Sequence, residues 1–265
     1  VESVKFEFDG GDMMLQWDEY EEAIQWFDRH MGWTFLHENL NDRSKRAAFV
    51  MPGGGHANFT TWANEEHQSR YDGHCRVCFR IADLDKNLEY FEKHGIRYGE
   101  RTTLPDGRET FDIQAGGGLR LTLIVHPEWN GKFPDSRIIS FDSTPIRLGV
   151  RNIDRAVRWY RDHMGMERSA FAVGEQFALL QAHHSYEGCI DLAWLEQIPE
   201  DEPYRETNPA ARLYFLVRGA DNFIRSHSRF IELGATTSEI NGDPSSWASY
   251  YVFDPDGNRI NVWIF

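Results

Sequence analysis

Two arginines are the residues of this chain whose type and placement most directly offer chemistry. Arg76 lies in Cys75-Arg-Val-Cys-Phe-Arg-Ile81 and Arg212 opens Arg212-Leu-Tyr-Phe-Leu-Val217, two short runs that alternate as strands do. In each run the apolar set (Val77, Phe79, Ile81; Leu213, Phe215, Val217) packs under a helix and sends the arginine to the opposite face. A guanidinium there, permanently charged and carrying a planar five-donor fork, would grip a carboxylate, a phosphate or an enolate-like oxygen. The competing reading is a structural ion pair, Arg212 with Asp191 and Arg76 with Glu7 or a further acid, because an unpaired buried charge is costly. Tyr214 and Trp263, with Phe265 and Trp194, offer flat faces for a planar organic ligand or for ordinary interface packing. Asp191 is the one inward carboxylate able to act as general base if desolvation raises its pKa, although a neighbouring Arg212 would lower it. No nucleophile stands at a recognisable spacing from a base and an orienting group.

Cysteine and histidine give weaker signals. Cys75-x-x-Cys78 has the spacing of a redox or zinc half-motif, but strand alternation points the two thiols to opposite faces, so both read as small buried hydrophobes. Among the eleven histidines, His56, His74 and His126 fall at strand ends where, with Glu7, they would be the members of a displaced metal site. His30 and His163 fall near helix C-termini, where an imidazolium is favoured by the macrodipole. His183-His184 sits in a turn running from Ala182 to Gly188.

The elements that must position these groups follow from length and pattern. At 265 residues the chain is long enough for one large or two ordinary domains, and nine tryptophans favour packed cores over disorder. A net charge of −14 argues against nucleic acid or an anionic membrane as partner. No run of about 18 apolar residues marks a membrane span and no signal peptide is evident, so the cytoplasm is the expected compartment. A helix over about 18–31, with Tyr20, Ala23, Ile24, Phe27 and Met31 at helical spacing, follows a strand at Val4–Phe8 and precedes strands at 33–38, 45–51 and 57–63. Strand 76–81, helix 84–94 and strands 99–103, 109–114 and 119–125 repeat the order. Ala23-Ile-Gln-Trp-Phe-Asp-Arg-His-Met-Gly32 then aligns with Ala156-Val-Arg-Trp-Tyr-Arg-Asp-His-Met-Gly165, the mark of an internal duplication. A fourth unit runs from strand 213–217 through helix 221–233 to hairpins that close at Phe265. The domains expected are 1–126 and 143–265, joined by a polar linker at 127–142.

Phe253-Asp-Pro-Asp-Gly-Asn-Arg-Ile-Asn-Val-Trp263 reads as a strand end, a tight turn and a final strand. With the Ile153-Asp154-x-Ala-Val-x-Trp-Tyr160 helix entry and the fourfold βαβββ order, it makes the chain resemble, over essentially its whole length, a two-domain member of the vicinal oxygen chelate superfamily. That is the glyoxalase, bleomycin-resistance and extradiol dioxygenase group. The resemblance implies an α+β fold of four βαβββ modules forming two U-shaped mixed-sheet domains with helices outside. It also implies four metal-ligand positions in each half, typically His, Glu or Gln. Carried over, they fall on Ser3, Asn58, Arg76 and Thr122, and on Pro145, Asp191, Arg212 and Asn261. Proline has no ligating side chain, arginine does not deprotonate, and only Asp191 is a good donor.

The expected function is therefore binding of a small, planar anionic molecule in a sheet-lined cavity by Arg76, Arg212, Tyr214, Asn261 and Trp263, with no metal at the family positions and no cofactor. The alternative is an enzyme of the same superfamily, a lyase, isomerase or dioxygenase, using displaced ligands for a divalent metal or a metal-free mechanism through Asp191 and the arginines. Either would work as a monomer or a homodimer.

Overall fold

The computed structural model describes residues 4–10, 13–63, 74–169, 175–186, 188–204 and 209–265. Two strands, β1 (Glu7–Gly10) and β2 (Met13–Met14), precede α1 (Tyr20–His30), which leads to β3 (Thr34–Leu40), β4 (Ser44–Val50) and β5 (His56–Trp62). Next come β6 (Cys75–Ile81), α2 (Leu84–His94), β7 (Thr102–Thr103), β8 (Glu109–Gln114) and β9 (Arg120–Val125). The order returns with β10 (Ser140–Val150), α3 (Ile153–Met164), β11 (Glu167–Arg168), β12 (Phe177–His184) and β13 (Gly188–Gln197). It ends with β14 (Leu213–Leu216), α4 (Ala220–Glu232), β15 (Asn241–Asp243), β16 (Trp247–Phe253) and β17 (Arg259–Ile264). The chain is a mixed α+β protein in which strand, helix and three strands recur.

It divides into two compact units. The N-unit comprises Asp12–Arg147 with Asn208–Ala211, and the C-unit comprises Val1–Gly11, Leu148–Thr207 and Arg212–Phe265. In the N-unit one set of strands is ordered β2-β5-β4-β3 and another β6-β9-β8-β7. In both, the opening strand runs parallel to the last and the other neighbours are antiparallel. Phe27 of α1 lies 4.3 Å from Phe59 and stacks on Trp33, while Phe91 of α2 meets Phe111. Each helix thus covers one face of its strands and leaves the other face free of helix. The C-unit orders its strands β15-β16-β17-β14-β1-β12-β13, with β11 on β12. There Phe223 and Phe230 of α4 pack on Tyr250, and Trp159 of α3 stacks on Phe230.

The helices end where local chemistry stops them. Asp83 and Asn152 cap α2 and α3 by accepting from Lys86 N and Arg155 N, and Gly95 and Gly165 follow in the left-handed conformation. Gly32 ends α1 at φ +70, and a Cβ on it would stand 2.8 Å from Ser136 Cα, so a side chain there is excluded twice over. Residues 127–142 are packed chain: Ile138 and Ile139 are buried, Trp33 Nε1 donates to Ile138 O at 2.9 Å, and Ser136 Oγ donates to Gly32 O.

One sequence expectation is corrected. The strand at Val4–Phe8 was expected to open the first repeat and pack under α1. Instead β1 belongs to the C-unit, hydrogen-bonded between β14 and β12, with Phe6 against Phe215 and Phe230. The strand that opens the first repeat is β2, parallel to β5 with Met14 opposite Thr60. Alternation identifies a strand but not the sheet that satisfies its backbone.

The turn between β8 and β9, Gly116-Gly117-Gly118, lies directly under α1. A Cβ on Gly117 (φ +69) would stand 2.5 Å from Leu15 Cδ2, and one on Gly116 would stand 2.9 Å from Trp26 Cβ. Gly107, at φ +87, has open space around it. Gly107→Ala is therefore predicted to cost about 1 kcal/mol from backbone strain alone. Gly117→Ala is predicted to cost a further 1–3 kcal/mol, roughly, from overpacking. Urea unfolding midpoints of the two variants check this, and equal losses would count against the close packing of α1 on this turn.

Candidate functional site

The helix-free face of the N-unit carries Arg76 on β6, Asp112 on β8, and Arg120 and Thr122 on β9. Cross-strand register places Asp112 opposite Thr122. Arg76 Nη1 donates to Asp112 Oδ2 at 2.8 Å, Arg120 Nε to the same oxygen at 2.7 Å, and Thr122 Oγ1 to Oδ1 at 2.6 Å. Burial alone would raise the Asp112 carboxyl; the two guanidiniums and the Thr122 hydroxyl outweigh it and hold it below the usual carboxylate range. The acid that Arg76 requires is thus Asp112, which the sequence reading did not identify.

A second network lies on the same unit. Asp142, fully buried, accepts from His126 Nε2 at 2.6 Å, Arg108 Nη1 at 3.0 Å and Thr144 N at 2.9 Å. The other ring nitrogen of His126 meets Glu128 Oε1 at 2.9 Å. Burial pushes Asp142 up, and His126, Arg108 and the Thr144 N–H together bring it below its ordinary value. With both nitrogens committed to carboxylates, His126 is part of a structural lock on 126–144. Glu7, expected beside it in a displaced metal site, belongs to the C-unit and is held by Lys5 Nζ at 3.1 Å and Arg218 Nε at 3.0 Å.

In the C-unit the Asp-Pro-Asp-Gly-Asn turn proves to be scaffold. Asp254 Oδ1 accepts from Asp256 N and Asn258 N, both at 2.8 Å, and Oδ2 accepts from Tyr160 Oη at 2.8 Å and Asn258 Nδ2 at 2.9 Å. Asp256 in turn receives Arg151 Nε at 3.0 Å and Arg155 Nη2 at 2.6 Å. The turn is therefore riveted to the start and middle of α3. Burial, with Asp256 adding to it, pushes Asp254 up to about 6 against the pull of its donors.

Most of the sequence-predicted ligand residues gather on the helix-free face of β14, β16 and β17. Tyr214 is opposite Asn261, which is opposite Tyr251, and Trp263 is opposite Leu216. The Tyr214 and Trp263 rings lie 5.2 Å apart. Arg259, not singled out from sequence, sets its guanidinium 4.1 Å over Tyr251 and donates from Nε to Asn261 Oδ1 at 2.9 Å. Because Arg259 can only donate, the Asn261 oxygen faces it and the amide NH₂ remains as a donor on this face. Trp263 Nε1 is buried with no hydrogen-bond partner among the described residues. Arg212, buried, directly precedes β14 on this face. Asp191 is elsewhere. It lies on β13, accepts from Gln181 Nε2 at 2.8 Å, and has β12 and β1 between its strand and β14, so it is not the acid for Arg212.

Register also draws a row across five strands, Trp263, Leu216, Glu7, His183 and Cys189. At its end Cys189 Sγ lies 3.5 Å from His183 Nδ1. This pair was missed because the two residues were weighed separately; it is set by the register of the two strands, in which His184 is opposite Gly188 and His183 opposite Cys189. Cys75 and Cys78 are buried, and burial drives the Cys78 thiol far up, as expected of structural cysteines. His30 and His163 differ from expectation: burial lowers both below the ordinary imidazole range, which favours the neutral ring over a helix-capping imidazolium.

A family model described as the Glyoxalase/Bleomycin resistance protein/Dioxygenase superfamily matches residues 11–121 and 143–262. The chain belongs to this superfamily. Glyoxalase I of Saccharomyces cerevisiae (strain ATCC 204508 / S288c) is 26% identical over 107 residues, 39% of this chain and 32% of that protein, so less than half of that relative is matched. Glyoxalase I from Zea mays superposes with a TM-score of 0.62 at 15% identity, covering 99% of this chain and 92% of that one. A single-residue mutant of the maize protein gives the same score and identity, with 93% of its chain covered. At such identity the likeness establishes the fold.

The metal that the family implies does not fit the residues at the implied positions. Arg76 and Thr122 are committed to Asp112, the Asn261 oxygen to Arg259 and an Asp191 oxygen to Gln181; Pro145 has no donor, and Ser3 lies outside the described residues. Among the described residues no group of three or more His, Cys, Asp or Glu side chains is placed to hold a metal ion, and no helix is long and apolar enough to cross a membrane.

Two outcomes follow. Asp112→Ala is predicted to destabilise by about 3–5 kcal/mol, since it strips the buried Arg76 of its acid; a urea midpoint unchanged from wild type would contradict the network. Asp254 has a folded-state value above that of an unfolded aspartate, so the stability it contributes is full below about pH 4 and is lost as pH rises through about 6. Tyr160→Phe removes a donor that favours the ionised form. Its cost is therefore predicted to be larger at pH 8, about 2 kcal/mol, than at pH 5, about 1 kcal/mol; equal costs at the two pH values would contradict the assignment.

Proposed function

We propose that this protein binds a small planar organic anion on the C-unit face formed by β14, β16 and β17. The observation that carries the reading is the buried Nε1–H of Trp263, without a partner among the described residues, beside the Tyr214 ring on a face that also presents the Asn261 amide and the Arg259 guanidinium. A buried donor without an acceptor costs about 1–3 kcal/mol, and an acceptor on a ligand recovers it. Aromatic walls favour a flat ligand, and a face rich in N–H donors favours an anion. Arg212 adds positive charge to the same face. The N-unit face is of another kind, since Arg76 and Arg120 already share Asp112, so Arg76 is left out of the ligand set. Asp191 is left out for its distance. Binding is preferred to turnover because, of the implied ligand positions, Arg76, Thr122 and Asn261 hold guanidinium, hydroxyl and amide groups engaged with protein partners, and Pro145 has no donor.

Thermal shift with benzoate, salicylate and 2-naphthoate, against benzamide and 2-naphthamide as neutral counterparts, tests this. The carboxylates are expected to raise Tm by at least about 2 °C at millimolar concentration and the amides by less. Trp263→Phe is expected to abolish most of the difference. No shift with any carboxylate, or an undiminished shift in Trp263→Phe, would overturn the reading.

A further inference from the structure

The β12–β13 hairpin carries a feature that anion binding does not use. Cys189 is exposed, unlike Cys75 and Cys78, and its Sγ sits 3.5 Å from Nδ1 of His183 across the antiparallel pair. The two residues are directly opposite in register, so backbone pairing puts their side chains on the same face within reach of each other. His183 is half-buried, and Gly188 (φ +72), opposite His184, precedes the thiol at the start of β13. The thiolate, not the thiol, is the nucleophile, and an imidazole within hydrogen-bonding reach is the group that takes its proton near neutral pH.

We propose that Cys189 and His183 form a reactive thiol–imidazole pair that captures small α,β-unsaturated carbonyl compounds as covalent adducts. In the step, the thiol proton moves to His183 Nδ1 and a sulfur lone pair forms a C–S bond to the β-carbon. The π pair of the C=C bond shifts to the α-carbon and carbonyl, and the proton held by His183 is delivered to the α-carbon. One S–H and one C=C π bond are exchanged for one C–S and one C–H bond. No group leaves and no oxidant is needed. A Michael acceptor suits the pair because the base that activates the sulfur also supplies the proton that completes the addition. The proposal is independent of the anion-binding face.

The test is the rate of N-ethylmaleimide addition to the folded protein at about pH 6.5, read by intact mass with peptide mapping to locate the adduct. Near that pH a free thiol, with a pKa of about 8.5, is almost wholly protonated. The protein is expected to gain one adduct, at Cys189, at least about tenfold faster than N-acetylcysteine under the same conditions. Cys189→Ser is expected to gain none, because the other two thiols are buried. His183→Gln, which keeps a polar side chain but cannot shuttle the proton, is expected to fall to within about twofold of N-acetylcysteine, with His183→Ala behaving alike if it folds. A wild-type rate equal to that of N-acetylcysteine, labelling at Cys75 or Cys78 instead, or a His183→Gln rate equal to wild type would each overturn the proposal.

Discussion

A charge taken out of water must be met by a partner, and this constraint decides what the sheet faces of this protein can do. On the N-unit face Asp112 is the hub. Its two oxygens receive two guanidiniums and a hydroxyl within 2.8 Å, and without them neither the carboxylate nor Arg76 would be tolerated at such depth. The residues at two implied metal positions, Arg76 and Thr122, are the same ones that satisfy Asp112. The polar groups of this face are turned toward each other. The C-unit face differs: its aromatic rings lie beside the Trp263 indole N–H, which no described residue accepts. One fold thus holds two kinds of sheet face, one built around a shared carboxylate and one around aromatic rings.

The same contrast runs through the duplicated helices. Phe27 in α1 aligns with Tyr160 in α3, and the added hydroxyl is the atom that reaches Asp254. Where α3 meets a turn rich in carboxylates and amides, α1 meets Gly116 and Gly117. Each helix is matched to its turn. A phenol requires an acceptor when buried, while a phenyl ring and the neighbouring Trp26 require a turn with no side chains. The Asp-Pro-Asp-Gly-Asn signature is therefore explained by packing and hydrogen bonding within the C-unit.

Much of the architecture was legible before the structure. The helices expected over 18–31, 84–94 and 221–233, and strands such as Glu109–Gln114, fall within a residue or two of where periodicity and glycine placed them. Alternation separates Arg76, Glu7, Tyr214, Asn261 and Trp263 from the apolar residues that neighbour them in their strands. What it could not give was partnership between strands. Val4–Phe8 reads as a strand wherever it pairs, so its place between β14 and β12 was hidden, as was the role of Met13–Met14, too short to show a period. Asp112 was overlooked as the acid for Arg76 because the two are 36 residues apart and meet only through β9. Arg259 was hidden for a similar reason: its contacts with Asn261 and Tyr251 depend on register in the last hairpin. Cys189 and His183 were hidden in the same way, since His183 was read as part of a turn and the two meet only through the register of β12 and β13.

The central claim is that the residues at the implied metal-ligand positions do not suit a metal: Arg76, Thr122, Asp191 and Asn261 are engaged by protein partners and Pro145 has no donor. Calorimetric titration of chelator-treated, fully folded protein with Zn²⁺, Ni²⁺, Mn²⁺ and Fe²⁺, the last without oxygen, tests it most directly. The account predicts no stoichiometric site tighter than about 100 μM for any of the four, because a four-coordinate site needs at least three good donors. One equivalent of metal bound at micromolar affinity or better, and lost in Asp191→Ala or His126→Ala, would contradict it.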